Sequence, residues 1–287
     1  MKTLTKIGAG IITFLIVAVM ALPTLLHHLG LHPEYQGETY SAVGKRALVI
    51  TTSHDTLNAP GETTGKKTGV MASEMTHPYY TFLDAGMQVD VASIKGGEIP
   101  VDPDTLKFMI ISPEDKRYLV DPDLQAKVKN SLHIDDVDFT QYDTVFMAGG
   151  WGAAYDMGYS EVLGQKISEA YYGNQDTIIG SVCHGALGLI NASDDQGNPI
   201  IRGRAITGVT DKQVKELGIG LTPMHPETEL RKVGVKYESQ TAFLDFFATH
   251  VSVDSEQRFV TGQNQNSGLE AAHKIVELLT QRQQAQN

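Results

Sequence analysis

The chain has 287 residues, 41% of them hydrophobic and 20% charged, and a formal net charge of −11. That length supports one large α/β domain or two small ones. The acidic balance argues against a phosphate-backbone binder, which needs a basic surface, and so against a nucleic-acid partner. A single cysteine, Cys183, excludes an intramolecular disulfide and any multi-cysteine zinc site.

Lys2 and Lys6 precede an uncharged apolar run, "IGAGIITFLIVAVMALPTLL", at residues 7–26. Some 20 helical residues rise ~30 Å, the thickness of a hydrocarbon core. Residues 1–26 therefore read as an N-terminal membrane helix. The positive flank stays in the cytoplasm, which places the domain on the periplasmic or extracellular side. The alternative is a signal segment cleaved near Val19 and Ala21, giving a secreted protein. Residues 27–44 carry His, Pro, Gly and Glu without periodicity and read as a tether. His27, His28 and His32 lie there, and no metal or cofactor is expected.

Residues 45–287 read as a single domain. Apolar runs at 46–53, 87–93, 143–150 and 177–183 predict buried strands. Helical patterns fall at 69–85, 160–172, 227–233 and 268–282, and a late hairpin is expected over 246–254 and 258–262. Strands apolar on both faces that alternate with helices predict a doubly wound, flavodoxin-like α/β sandwich with a mostly parallel central sheet. Residues 94–142, rich in Asp and Pro, are expected to decorate a sheet edge.

Three stretches carry chemistry. In "SVCHGALGLI" a strand runs into Cys183, with Gly185 two residues later, as in a nucleophile elbow. A turn there aims the sulfur at a helix N-terminus, which favours a thiolate; a buried, inert cysteine is the competing reading. Gly180 would give the turn clearance. "MAGGWGAAYD" also ends a strand, and the N–H of Gly150 or Trp151, with that of His184, would make an oxyanion hole. In "GVMASEMTHPYYTF" Glu74 shares a helix face with Met71, Met75, Tyr79 and Phe82. A buried carboxyl there would stay protonated and donate to a thiolate, and Pro78 would break or kink the helix just beyond it.

Together these segments resemble the PfpI-like superfamily, which shares the class I glutamine amidotransferase-like fold, and within it the heat-shock-protein-31-like, glyoxalase III-like branch. "GSVCHGALGL", "FMAGGWGAAYD", "GRAITG", "ETELRKVGVKYE" and "HVSVDSEQRFVTGQNQNSG" carry the likeness in this order. The resemblance implies Cys183 as reactive cysteine, His184 as its paired imidazole, Glu74 as the buried acid on the thiol, and backbone N–H donors at Gly150 and His184. It implies a cofactor-free lyase acting on a small 2-oxoaldehyde such as methylglyoxal, deglycation by the same groups, and a homodimer. Two departures stand out. Trp151 replaces the usual His of Gly-Gly-His-Gly and would wall the substrate site. Gln213 stands where the acid that orients His184 is expected, with Asp211 and Glu216 as nearby substitutes. Rival readings are a redox sensor or holdase chaperone of the same family, and an amidase or other hydrolase. The amidase is disfavoured because the late His250 is followed at two residues by Ser252 rather than by an acid.

Overall fold

The structure is a computed structural model that describes residues 2–286, with side chains described for residues 12–285. The central sheet is built from β1 (Arg46–Thr51), β2 (Gln88–Ser93), β3 (Leu132–His133), β4 (Thr144–Met147), β5 (Ile178–Val182), β6 (Val251–Val253) and β7 (Phe259–Gly262). Across the sheet they run β3-β2-β1-β4-β5-β7-β6, parallel at every step except the antiparallel β6/β7 pair. The predicted strands all appear, shorter by up to three residues at their ends, except the first strand of the late hairpin, which starts at Val251 instead of 246 because Asp245–Phe247 forms a 3-10 turn.

The helices are α1 (Lys2–His28), α2 (Ala72–Asp84), α3 (Pro113–Tyr118), α4 (Pro122–Lys129), α5 (Ala153–Asp156), α6 (Glu161–Gly173), α7 (Asp211–Glu216), α8 (Pro226–Val233) and α9 (Gly268–Gln286). Period-two alternation explains how they cover both faces. Ala47 and Val49 of β1 point to the core under α2 and α9, with Met75, Phe82, Ile275 and Leu279. Leu48 and Ile50 point the other way, to Leu163 and Ile167 of α6. Each such fully buried aliphatic side chain contributes ~1.5–3 kcal/mol, so the strands are held from both sides. Their carboxyl ends meet at one edge of the sandwich, where β4 and β5 deliver the two chemistry-bearing turns.

Four expectations need correction. Among the described residues no helix is long and apolar enough to cross a membrane. The side chains of residues 7–11, part of the expected span, lie outside those described. The membrane anchor, and with it the placement of the domain outside the cytoplasm, is therefore not supported. Nor is 27–44 a free tether. Leu31 is fully buried, His32 is 6% exposed, and Tyr35 stacks on His273 of α9 with centroids 3.8 Å apart. The His32 N–H donates to Asn266 Oδ1, and the Ala42 N–H donates to the Ala85 carbonyl.

Pro78 does not end its helix: α2 continues to Asp84. Proline removes the N–H that would bond the Glu74 carbonyl, a loss of ~3 kcal/mol in a helix interior. Burial of every residue from Ala72 to Phe82 offsets it. Finally, residues 94–142 do more than decorate the edge. They supply strand β3 itself, paired with Ala92 and Ser93.

Candidate active site

β5 ends at Val182, and Cys183 follows with φ 57, in the left-handed region. A non-glycine residue there costs ~1–3 kcal/mol and persists only where its surroundings impose it. The strained residue turns the chain from the strand into a 3-10 segment, Cys183–Leu189. Gly185 makes the turn possible, because a Cβ there would lie 2.2 Å from the Met147 carbonyl oxygen. Gly180 has another task than the expected clearance. A Cβ at that position would meet Phe146 Cδ2 at 2.4 Å and Ile275 Cδ1 at 2.7 Å, so the glycine seats the aromatic ring.

Cys183 is 2% exposed and sits at the floor of a cavity of about 170 Å3. Met71, Glu74, Trp151, Leu217, Phe246 and Gln265 contribute to its walls. The sulfur lies beside the Glu74 carboxyl, faces the N–H groups of Gly150 and His184, and stands 3.5 Å from His184 Nδ1. The turn after β4 brings the Gly150 donor in. Gly150 has φ +96, and a Cβ on it would stand 2.3 Å from the Met71 nitrogen. Glycine is thus required there both for backbone conformation and for close approach. Asp156 of α5 anchors this turn to the end of β1 by accepting from the Ser53 N–H and the Thr52 hydroxyl.

The electrostatics follow from burial. Glu74 is fully enclosed, and desolvation pushes its carboxyl up to about 8 against the opposing pull of Cys183 and the N–H groups of Gly149 and Gly150. It is therefore protonated at neutral pH. Neither carboxyl oxygen has a hydrogen bond of regular geometry, so the group is held by its neighbours without being saturated. Burial, with the nearby His225 adding to it, lowers the His184 imidazole to about 3, which leaves it neutral. Burial, and then Glu74, push the Cys183 thiol well above its usual range. The readily ionised thiolate expected from the elbow is thus replaced by a neutral Cys–His–Glu set, because desolvation outweighs two backbone N–H groups.

The DJ-1/PfpI family pattern matches residues 66–278, most of the chain. The chain belongs to the DJ-1/PfpI family. It is 28% identical to Glyoxalase 3 of Candida albicans over 242 residues, covering 81% of this chain and 97% of that protein. It is 28% identical to the glutathione-independent glyoxalase HSP31 of Saccharomyces cerevisiae over 246 residues, 82% and 98% of the two chains. Among solved structures, Rapid Encystment Protein 24 KDa of Francisella tularensis superposes with a TM-score of 0.74 at 33% identity, covering 82% of this chain and 99% of that one. Glyoxalase III of Candida albicans superposes with a TM-score of 0.70 at 26% identity, over 82% and 97% of the chains.

In this DJ-1/PfpI chain the structure brings Cys183, His184, Glu74, Gly150 and Trp151 together. The Trp151 ring stands edge-on to the His184 ring, with centroids 5.2 Å apart. It does not bring in the candidate orienting acids. Asp211 accepts from the Thr228 hydroxyl. Glu216 accepts from the Asp245 N–H and pairs with Lys212. Neither bonds His184, because both belong to α7, whose polar groups are drawn toward α8 and the 241–245 loop. Gln213 is buried in an amide network, donating to Gln265 Oε1 at 3.3 Å and accepting from Asn264 Nδ2 at 3.1 Å. His250 is engaged with Glu238 instead, at 3.4 Å. Leu217 and Phe246 were not singled out in the sequence as walls. They reach the cavity from loops distant in sequence, and no local pattern marks them. Gln265 lies in the "TGQNQNSG" stretch, whose amides also fix the loop at 246–248.

Proposed function

We propose that this chain is a glutathione-independent, cofactor-free glyoxalase III-type lyase that converts methylglyoxal-like 2-oxoaldehydes to 2-hydroxy acids. The observation that carries the reading is the strained Cys183 on the cavity floor with a protonated Glu74 on one side and a neutral imidazole on the other. The names of the similar yeast proteins support it.

The reaction gives each of these groups a role. The Cys183 sulfur attacks the aldehyde carbon while its proton passes to His184 Nδ1. The oxygen that gains charge meets the N–H groups of Gly150 and His184 and takes up a proton, giving a hemithioacetal. Deferring ionisation to this step suits a thiol whose anion is costly in the closed cavity. A proton then leaves the former aldehyde carbon and one is returned to the adjacent ketone carbon through an enediol, with His184 and Glu74 as the groups within reach. The product is a thioester of the 2-hydroxy acid. Water releases the acid and restores the thiol, so the sum is aldehyde plus water to hydroxy acid. Trp151 walls the site and keeps bulk water from the enediol. The test is purified protein with methylglyoxal and no glutathione, with the product identified by NMR. Lactate formation supports the reading, and unreacted methylglyoxal overturns it.

A further inference from the structure

A neutral imidazole that takes a proton at Nδ1 needs an acceptor for its Nε2–H, and the family's acid is not there. His184 is fully buried, yet its Nε2 has no hydrogen-bond partner. His225 Nε2 is likewise buried and unpartnered, although the residue itself is half-buried and reaches toward solvent. The segment around His225 lies against the catalytic turn. A Cβ on Gly208 would meet Pro226 Cβ at 3.1 Å, Ala186 Cβ at 3.1 Å and the Cys183 carbonyl oxygen at 3.2 Å. A Cβ on Gly158 would meet Met224 Sδ at 2.5 Å and Leu187 Cβ at 3.5 Å. His225 also occupies the N-cap of α8 without making a side-chain cap, so its ring is not committed to the helix.

From this geometry we infer that His225 is the positioning residue for His184: its Nε2 accepts the His184 Nε2–H through one bridging water. Two imidazoles in series would then replace the missing carboxylate. They fix the His184 tautomer with Nδ1 free to take the Cys183 proton, and they link a closed cavity to solvent. A neutral acceptor fits the site, since His184 feels the charge of His225 as repulsion and an ionised His225 would oppose protonation of His184. Most of the other charged groups on the packed elements are engaged elsewhere. Glu227 binds Arg231 and the Asp211 N–H, Asp211 binds Thr228, Glu229 pairs with Lys232, and Lys212 binds Asp245. Glu74 and Cys183 stand on the Nδ1 side of the ring.

This inference rests on the proposed lyase chemistry and is tested by two arms. In the first, methylglyoxal turnover by wild type and His225→Ala is followed against pH, with and without added imidazole. The expected result is a kcat lower by about ten-fold or more in the variant, a KM within about two-fold, a pH profile that departs from the wild type's, and recovery of rate with added imidazole. An unchanged kcat and pH profile, or a loss that imidazole does not restore in a variant that unfolds at the wild-type temperature, overturns it. In the second arm, iodoacetamide alkylation of Cys183 reads the same proton path without substrate. A rate several-fold lower in His225→Ala supports the role, and equal rates across the pH range overturn it. If wild type leaves methylglyoxal untouched, the lyase reading fails, and the alkylation arm still decides the place of His225.

Discussion

Replacing Glu74 by glutamine should make the fold more stable, increasingly so as pH rises. The carboxyl is fully buried and shifted from 4.5 to about 8, whereas in the unfolded chain it ionises near 4.5. The folded state therefore keeps a proton that the unfolded state releases. For an acid raised in this way, the stability linked to the proton is intact below the unfolded value and is lost as pH climbs to the folded one. The slope is about 1.4 kcal/mol per pH unit, so about 3 kcal/mol is lost by about pH 7, and the loss levels near 5 kcal/mol above about pH 8. Glu74→Gln keeps shape and donor capacity without titrating. Urea unfolding of both proteins from about pH 5.5 to about pH 8.5 measures the difference. A stability gap that widens by about 1.4 kcal/mol per unit and then flattens above about pH 8 is expected. A gap constant across the range refutes the buried, protonated assignment. Lactate formation by the variant should fall at the same time, a usual exchange of function for stability at active sites.

Gly150→Ala should lose most activity and about 1–3 kcal/mol of stability, since φ +96 and the Met71 nitrogen at 2.3 Å both oppose a Cβ; thermal unfolding and turnover check it together. Trp151→Ala opens the wall beside His184, so kcat/KM for methylglyoxal should drop while that for bulkier aryl glyoxals rises, read from steady-state kinetics on both. His32 is held near 3, mainly by burial, so the stability linked to its neutral form is intact above its ordinary 6.5 and is lost as pH falls from there toward 3. Limited proteolysis should accordingly cut residues 27–44 faster at about pH 5 than at about pH 7.5, and equal rates would contradict the docked arm.

Much of the fold is legible in the chain because β1, β4 and β5 are short apolar runs, and such runs are buried on both faces only when helices cover both. The elbow was legible for the same reason: a strand that ends at Cys183 with a glycine two residues on has few other conformations. What local pattern could not give is context. Pro78 looks like a helix stop, yet tertiary burial carries α2 through it. The sequence 27–44 has no periodicity, yet Leu31 is fully buried and Tyr35 stacks on His273 of α9. The ionisation of Cys183 has no local signature, because desolvation depends on how completely the cavity closes, which involves Leu217 and Phe246 from distant segments. His225 carries no motif at all; its position beside the catalytic turn comes from the packing of α8.

Covalent catalysis by the sulfur of Cys183 is tested most directly by lactate formation from methylglyoxal by Cys183→Ala, with folding verified by thermal unfolding. A rate reduced to that of the buffer alone is predicted. Turnover within about ten-fold of wild type would contradict covalent catalysis by this residue.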